Sequence, residues 1–420
     1  MIVNHRKFLL AVALIGAATP ACADVITEWN DQAVAFGVAR TMTPAAAERM
    51  IAMVQVAMFD AVNSIDRKYR PYLVQLPATA GTSREAAAAT AAGTVLAGID
   101  ALGQPDVRPA LASYLAAIPD GPAKSDGVKL GEAVAARILE ARADDGANAH
   151  DTYRPRTAPG VYVPTTPTVS PQWSSLKPFV LTSGSQFRPA APIALSSDEW
   201  AANYNEMKDF GALASAKRSA RQTEDARFWL TTDGRVYYPV IRKIAEAKKL
   251  SVVDCARLYA LTAVARADAF VAVFDAKYHY EFWRPVTAIR NGDIDGNAAT
   301  ERDASWQPLG PTPMHPEYPC AHCIVSASLA GVVQTVFGTA DIPEVSITSP
   351  TGGGVTHRFT NLRAFTDEVA QARIYAGFHW RFSTEVGRDM GYRIGESVVK
   401  NVMQPVATKS SVRLHVSCQG

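Results

Sequence analysis

Apolar side chains recur along this chain mainly with the 3.6-residue period of amphipathic α-helices. Thr43 has the form of a helix N-cap, and Pro44 follows at the first helical position, where a backbone donor is not needed. The apolar residues that then keep the helical period are Met50, Ile51, Met53, Val54 and Met58. Alanine-rich sequence over 84–143 continues the pattern, so this part of the chain is predicted to be helical.

Helical patterns resume in the second half of the chain. Ser196–Glu199 and Ser251–Asp254 each have the form of a capping box. The second predicts the start of a long helix, which Pro285 is expected to end. Strand-like alternation is rare, and irregular excursions are predicted at 345–348 and 352–356. The predicted fold class is therefore all-α, built from helical bundles.

A proline-rich stretch separates the two helical halves. Its prolines are Pro155, Pro159, Pro164, Pro167, Pro171, Pro178, Pro189 and Pro192. This density predicts an extended crossing segment, which the embedded Trp173 and Phe179 would pack against the surface. The predicted organisation is an N-terminal helical region at 24–150, a connecting segment at 151–195, and a C-terminal bundle at 196–420 that carries the candidate catalytic residues.

Residues 1–23 have the form of a secretory signal peptide. Arg6 and Lys7 form the basic start, Phe8–Ala18 the apolar run, and Ala21-Cys22-Ala23 an A-x-A-like cleavage site. The chain is therefore predicted to be exported, to the periplasm or out of the cell. Cleavage would lower the 42 Lys and Arg to 40, equal to the 40 Asp and Glu. This neutral balance predicts no nucleic-acid partner, so any cationic site must be local.

No later segment offers about 18 uncharged apolar residues in a row, so no stable membrane insertion is predicted.

The cysteines beyond the cleavage site are Cys255, Cys320, Cys323 and Cys418, too scattered for a disulfide scaffold. Cys320 and Cys323 have C-x-x-C spacing. A structural disulfide, inert thiols, a redox pair and a zinc site that includes His322 all remain open.

Lys277 and Arg284 are the first candidates for an anion site. Seven residues apart on one helix, they would share a face with about 10 Å between them. The aromatic residues around them are Tyr278, Tyr280, Phe282 and Trp283. Because a solvated basic stripe is not usually embedded in aromatic sequence, we predict that both cations reach one anion.

A rigid turn followed by a helix start is the second part of the predicted anion site. Residues 313–322 read Pro-Met-His-Pro-Glu-Tyr-Pro-Cys-Ala-His and lead into an apolar helical pattern. A helix that begins near Cys320 would offer free amides and its dipole to an anion. His322 in the first turn would lie beside that anion, with a pKa suited to proton transfer.

Arg373 and His379 are the third part of the predicted anion site. Six residues apart on an unbroken helix, they would point about 240° away from each other. Both can reach one site only if the helix breaks, and Gly377 is the expected break. Ser383 and Glu385 then open a new helical pattern.

These three parts resemble the signature of the vanadium haloperoxidase and type-2 acid phosphatase superfamily. The matching motifs are Lys277-x6-Arg284-Pro285, Pro319-x-x-His322 and Arg373-x5-His379, in that order. Residues 267–285 and 377–382 are similar to the haloperoxidase branch in particular. Each motif alone is a weak signal, whereas three at compatible spacing are a strong one.

The resemblance implies a helical-bundle fold and a pocket for vanadate or phosphate. The residues that would hold the oxygens are Lys277, Arg284 and Arg373, with Cys320 and Ala321 at the helix start. His379 would be the axial ligand to vanadium, or the phosphoryl-accepting nucleophile of a phosphatase. His322 would be the general acid-base.

The chain departs from the family pattern at named positions. Cys320-Ala321 replaces Ser-Gly, so a weaker donor and a more restricted backbone stand at the helix start. Ser383 stands where the family often has an Asp that orients the last histidine, and it is equally well predicted as a helix N-cap. His315 stands where bromide- and iodide-oxidising members have His and the chloride oxidiser has Phe.

The same residues would serve more than one function. In a vanadate-dependent peroxidase, hydrogen peroxide would oxidise bromide or iodide and His322 would take the peroxide proton. In a metal-free acid phosphatase, His379 would attack the phosphorus of a phosphate ester and His322 would protonate the leaving group. A non-catalytic oxyanion-binding protein is the third hypothesis. The sequence predicts no oligomeric state, and it gives His279 and His357 no role beyond surface or packing positions.

Overall fold

A computed structural model describes residues 24–99 and 107–406, so the signal-peptide prediction for 1–23 lies outside the described residues. Within them, α-helices are joined by loops, three short 3-10 turns and one two-stranded antiparallel ribbon. The predicted all-α class is confirmed. No helix in the described part of the chain has the length and apolar character needed to cross a membrane.

The elements follow in chain order. The helices before the connecting segment are α1 (Asp24–Ala39), α2 (Pro44–Asp66), α3 (Arg84–Ile99), α4 (Arg108–Ala116) and α5 (Pro122–Ala141). The next helices are α6 (Asp198–Phe210), α7 (Ala220–Phe228), α8 (Gly234–Ala247), α9 (Val252–Tyr280) and α10 (Pro285–Arg290). The last elements are α11 (Ala321–Phe337), β1 (Asp341–Thr348), β2 (Thr356–Asn361), α12 (Leu362–Tyr375) and α13 (Arg381–Asn401).

Capping side chains set several helix starts where the sequence predicts them. The Thr43 hydroxyl accepts a hydrogen bond from the Ala46 amide at 3.4 Å, with Pro44 as the first residue of α2. The Ser251 hydroxyl accepts from the Asp254 amide at 3.3 Å and starts α9. Each cap satisfies an amide that the helix itself leaves unpaired.

The end of α9 differs from the prediction. The helix stops at Tyr280 because Glu281 adopts the left-handed conformation, with φ 49°. The Glu281 carbonyl accepts a hydrogen bond from the Tyr162 amide at 2.6 Å, which ties this turn to the connecting segment. Arg284 therefore lies on extended backbone before α10. The prediction that Lys277 and Arg284 share one helix face is wrong.

Residues 341–361 form a ribbon rather than the predicted irregular excursions. β1 and β2 pair with Val345 opposite Phe359 and Ile347 opposite His357. All four of these side chains are buried, so the ribbon has one apolar face. The pattern is hard to detect in the sequence because a histidine holds one of the buried positions of β2.

A continuous apolar core joins α1–α3 to α9 and α11. The connecting segment is fastened to this core by the buried Asp268 carboxylate. That carboxylate accepts hydrogen bonds from the amides of Phe179, Val180 and Leu181 at 2.6–2.9 Å. Trp173 and Phe179 are buried, as predicted for a segment that packs on the helices. The division into 24–150, 151–195 and 196–420 stays a prediction.

The close packing of α11 on α13 depends on Gly391. A Cβ at this position would lie 2.7 Å from the Ala327 Cβ and 2.9 Å from the Ser328 amide nitrogen, both on α11. Gly391→Ala is therefore expected to lower the free energy of unfolding by about 1–3 kcal/mol, the usual cost of overpacking. Urea denaturation measures it, with Gly81→Ala as the control because its nearest atom would be 4.0 Å away. Equal stability of the two variants would refute this packing.

Candidate functional site

The motif side chains come from separate elements and lie in or just beneath one pocket. Lys277 comes from the last turn of α9, Arg284 from the residue before α10, and His322 from the first turn of α11. Arg373 comes from the last turn of α12, and His379 from the loop between α12 and α13. All of these except His322 are at most 1% exposed. The fold thus concentrates cations and imidazoles where water is scarce.

A cavity of about 380 Å³ opens above these groups. Its polar floor consists of His315, Ala321, His322, Arg373 and His379. Its apolar wall consists of Leu230, Phe270, Phe274, Met314 and Phe378. The start of α2 and residues 169–170 of the connecting segment also line it, so both helical halves contribute to the pocket.

Arg284 is the centre of the hydrogen-bond network on the pocket floor. Its Nε donates to the His315 carbonyl at 2.9 Å, and its Nη1 donates to the Phe378 carbonyl at 2.9 Å. The same Nη1 lies 3.3 Å from His379 Nε2, and Nη2 lies 3.0 Å from His315 Nδ1. Since a guanidinium only donates, His379 Nε2 is the acceptor in its contact. His315 Nδ1 also lies 3.1 Å from the Pro316 carbonyl, so Arg284 fixes the tautomer of His379 but not that of His315.

His379 is oriented by Glu317. His379 Nδ1 lies 2.7 Å from Glu317 Oε1, which also accepts from the Trp380 amide at 3.2 Å. Because Nε2 accepts from Arg284, Nδ1 carries the proton and donates it to the carboxylate. The Nε2 lone pair therefore faces the cationic pocket, as a ligand or nucleophile requires.

Glu317 is the residue that sequence reasoning missed. It lies 62 residues before His379, so only the fold brings the two together. The available signal was an acidic residue within the proline-rich turn of 313–322, a turn with no apparent need for charge. Burial raises the pKa of Glu317 to about 7, while Lys277 and Arg284 oppose that rise.

Gly377 allows Arg373 and His379 to face one site. α12 ends at Tyr375, and Gly377 has φ +81°, which an L side chain rarely adopts. The predicted helix break is therefore confirmed. The next helix is α13, whose N-cap is Trp380, so Ser383 lies inside its first turn. The alternative prediction of an N-cap at Ser383 is wrong, and the partner that orients His379 is Glu317.

Lys277 lies below the turn rather than in the cavity wall. Its Nζ donates to the carbonyls of Pro316 and Glu317 at 2.9 and 2.6 Å. Burial first, and the nearby Arg284 second, hold the pKa of Lys277 well below its ordinary value. In this structure Lys277 positions the backbone that carries Glu317.

Arg373 and His322 present unpaired groups to the pocket. Arg373 Nη1 donates to the Trp229 carbonyl, but its buried Nε has no hydrogen-bond partner. His322 Nε2 is also buried without a partner. Burial lowers the pKa of Arg373 to about 9, and burial with Arg373 holds the pKa of His322 well below its ordinary value. Buried unpaired groups of this kind mark a place for a ligand.

The structure changes the role predicted for Cys320. Its Sγ forms a disulfide with Cys323, and its amide donates to the Ser383 carbonyl at 3.2 Å. The structure therefore agrees with the disulfide alternative and not with free thiols, while a redox role of the pair stays a prediction. Cys320 has no donor left for an anion. Ala321, the first residue of α11, remains at the pocket floor as the candidate amide.

His315 lies in the pocket wall beside Arg284. Its ring packs edge-on against Phe274, with centroids 5.5 Å apart. Burial and the charges of Lys277 and Arg284 hold the pKa of His315 well below its ordinary value. His315 is thus a neutral group at the edge of the anion pocket.

The affinity for a dianion is expected to fall at alkaline pH. The pKa of Arg373 is lowered to about 9 and that of Arg284 to about 10, in both cases by burial. An anion binds the protonated cations, so binding must take up a proton once the pH exceeds these values. We expect the Kd for sulfate, whose charge is constant over this range, to rise at least tenfold between pH 7 and 10. Isothermal titration calorimetry measures it, and a constant Kd would contradict this electrostatic account.

Comparisons with known proteins agree with this arrangement. A family model for the VCPO second helical-bundle domain matches residues 257–408, which include all three motifs. The vanadium chloroperoxidase of Curvularia inaequalis is 26% identical over 241 residues. That alignment covers 43% of this chain and 39% of the relative, less than two thirds of its length.

Solved structures match over more of the chain. The first bacterial vanadium-dependent iodoperoxidase to be solved has a TM-score of 0.78 at 25% identity, over 92% of this chain and 98% of the other. An apo-type bacterial vanadium-dependent chloroperoxidase has a TM-score of 0.69 at 17% identity, over 85% and 92%. At that identity the second match shows the fold alone. Together, the motifs, the family model over residues 257–408 and these matches support a place for the chain in the vanadium haloperoxidase and type-2 acid phosphatase superfamily.

Proposed function

We propose that this protein is a vanadate-dependent peroxidase that oxidises a halide, bromide or iodide, with hydrogen peroxide. The proposal rests mainly on the orientation and hydrogen bonding of the His379 ring. Its Nδ1 proton is held by Glu317, and its Nε2 lone pair faces a pocket of buried cations. The similarity to vanadium haloperoxidases supports the same reaction class.

The residues on the pocket floor fit vanadate. The unpaired Nε–H of Arg373 needs an acceptor, and a tetrahedral oxyanion offers one. The unpaired Nε2 of His322 lies in the same cavity, where it can accept a proton from a bound reactant. His379 Nε2 would bind vanadium, while Arg284, Arg373 and the Ala321 amide would neutralise the oxygens. Bound vanadate would act as a Lewis acid that polarises hydrogen peroxide towards the halide.

The protein side chains hold and move protons around this centre. His322 is suited to accept the proton of hydrogen peroxide, because burial and Arg373 keep its imidazole neutral. Glu317 keeps the Nδ1 proton on His379, so Nε2 stays available. The apolar wall around Phe274 and Phe378 limits water beside the reacting atoms.

We propose bromide or iodide as the halide because His315 stands where bromide- and iodide-oxidising members of the family have His. In this structure its Nδ1 lies 3.0 Å from Arg284 Nη2, and its ring packs on Phe274 at the edge of the cavity. A neutral polar ring at that edge is compatible with a large, weakly hydrated anion. Export to the periplasm or out of the cell is part of the proposal and rests on the sequence of residues 1–23.

A metal-free acid phosphatase is the second candidate, because His379 Nε2 is also placed as a nucleophile. That reaction needs a protonated His322 to assist the leaving group. Burial, Arg373 and Arg284 all lower the pKa of His322, which favours a base over an acid. We therefore rank the peroxidase first and a binding protein without turnover last.

One pair of assays separates the candidates. The purified chain is freed of phosphate, loaded with orthovanadate, and assayed for iodide and bromide oxidation by hydrogen peroxide. The same preparation without vanadate is assayed for hydrolysis of p-nitrophenyl phosphate. Vanadate-dependent halide oxidation is expected. Phosphatase activity that vanadate inhibits, together with no halide oxidation, would overturn the peroxidase in favour of the phosphatase.

A further inference from the structure

A second group of chemically active side chains lies outside the pocket, where α7, β2 and α12 meet. Glu224 and Asp225 come from α7, and His357 comes from β2. One nitrogen or oxygen atom from each of the three lies within 4.8 Å of those of the other two. Sequence reasoning predicted only a surface or packing position for His357, and the proposed peroxidase reaction uses none of these residues.

His357 is held rigidly with one ring nitrogen directed at the acids. The residue is 2% exposed, and its ring stacks on Phe228 with centroids 3.8 Å apart. Its Nδ1 is hydrogen-bonded to the Glu368 carboxylate, so Nδ1 carries the proton. Its buried Nε2 has no hydrogen-bond partner and faces Asp225 Oδ1 at 3.8 Å and Glu224 Oε1 at 4.0 Å.

Three carboxylates surround the His357 ring. Among the lysines and arginines of residues 24–99 and 107–406, Arg221 is the one that pairs with Glu224, Asp225 and Glu368, at 2.9 Å from the first two and 3.8 Å from the third. The cluster therefore has an excess of negative charge that a divalent cation would offset.

We propose that His357, Asp225 and Glu224 form a binding site for a divalent transition-metal ion, with Zn²⁺ the best fit. Two ligands about 2.1 Å from a tetrahedral ion lie about 3.4 Å apart. The 3.8 and 4.0 Å separations from His357 Nε2 exceed this by a few tenths of an ångström, a shift that the partly exposed Glu224 side chain can supply on its own side. An imidazole with two carboxylates suits Zn²⁺ better than Mg²⁺ or Ca²⁺, which prefer oxygen ligands alone.

Glu368 completes the arrangement that metal-binding histidines usually have. A carboxylate on the far ring nitrogen fixes the tautomer and strengthens the ligand. The Glu368 Oε1 atom also accepts a hydrogen bond from Trp229 Nε1 at 2.9 Å. The site is open to solvent on the Glu224 side, where the side chain is 36% exposed, so an ion can enter.

The ion would fasten the elements that position Arg373. Glu368 and Arg373 lie on the same helix, α12, and both contact Trp229 at the end of α7. Metal binding should therefore stabilise the fold from outside the oxyanion pocket. This role is independent of the proposed peroxidase activity.

The test is zinc titration of the full chain after chelation, followed by calorimetry and thermal unfolding in the presence of Zn²⁺. We expect one Zn²⁺ per chain and a higher Tm. Glu224→Gln should weaken binding at least tenfold, because it removes a charged ligand at a partly exposed position. Glu140→Gln is the matched control, since Glu140 also pairs with an arginine three residues earlier, at 3.2 Å. His357→Gln should lose the site, and His379→Ala should keep it.

Each remaining outcome has a defined meaning. The proposal is overturned if the wild-type chain binds no Zn²⁺ at millimolar concentration, or if Glu224→Gln binds as tightly as Glu140→Gln. Loss of Zn²⁺ in His379→Ala would move the ion to the oxyanion pocket and also overturn it. Equal affinity for Mg²⁺ and Zn²⁺ would exclude the imidazole as a ligand. If His357→Gln does not fold, the Glu224→Gln comparison decides.

Discussion

His379→Ala is expected to lower vanadate-dependent halide oxidation by more than about 100-fold. Losing a residue that merely supports a metal ligand costs about 10–100-fold, and His379 is the proposed ligand itself. No other imidazole in the described part of the chain combines a carboxylate on Nδ1 with an Nε2 that faces Arg284. The measurement is kcat/KM for iodide in vanadate-loaded protein.

The control for this variant is His150→Ala, because His150 is exposed and does not line the cavity. Thermal unfolding of both variants shows whether the fold is kept. Sulfate binding should persist in His379→Ala, since Arg284 and Arg373 remain. Halide oxidation equal to that of His150→Ala would remove His379 from the mechanism.

Glu317→Gln is expected to weaken vanadate binding by about 10–100-fold. The amide keeps the shape of the side chain but removes the negative charge that holds the Nδ1 proton on His379. Vanadate affinity, measured by calorimetry at pH 8, checks this. A variant that binds as tightly as the wild type would show that Glu317 does not position His379.

The stability of Glu317→Gln separates this positioning role from a structural one. The pKa of Glu317 is raised from 4.5 to about 7, so the folded state holds its proton more tightly than the unfolded state. The stability linked to that proton is fully present below pH 4.5 and is lost as the pH rises through 7. Relative to the wild type, Glu317→Gln should therefore become more stable between pH 5 and 8. Weaker vanadate binding without lower stability at pH 8 is the expected signature.

The sequence predicted the helical fold and the pocket positions of His322, Arg373 and His379, because their signals are local. Helix caps such as Thr43 and Ser251 depend only on residues within one turn of the helix. The break at Gly377 was predicted because Arg373 and His379 would point in different directions on an unbroken helix. The three motifs also kept the spacing by which they resemble the superfamily. These features depend on short-range geometry that a sequence displays directly.

Contacts between distant segments could not be predicted. α9 ends at Tyr280 because a residue of the connecting segment, Tyr162, binds the turn at Glu281. The contact between Glu317 and His379 joins residues that only the packed helices bring together. In both cases the hydrogen bond joins residues far apart in the sequence, and the spacing of apolar residues does not reveal such a bond.

Cys320 illustrates the same limit within the site. Its replacement of serine placed a weak donor where the family holds its anion, and the sequence left several cysteine chemistries open. The structure uses the thiol in a disulfide and the amide on Ser383. The anion pocket therefore depends more on Arg284, Arg373 and the Ala321 amide than the motif alone implies.

The central claim is that an oxyanion binds through His379 Nε2 among buried cations. The most direct test is a crystal structure of the protein soaked with orthovanadate. We predict continuous density between vanadium and His379 Nε2, with Arg284 and Arg373 against the oxygens. Vanadate bound elsewhere, or an empty pocket at saturating concentration, would contradict the account.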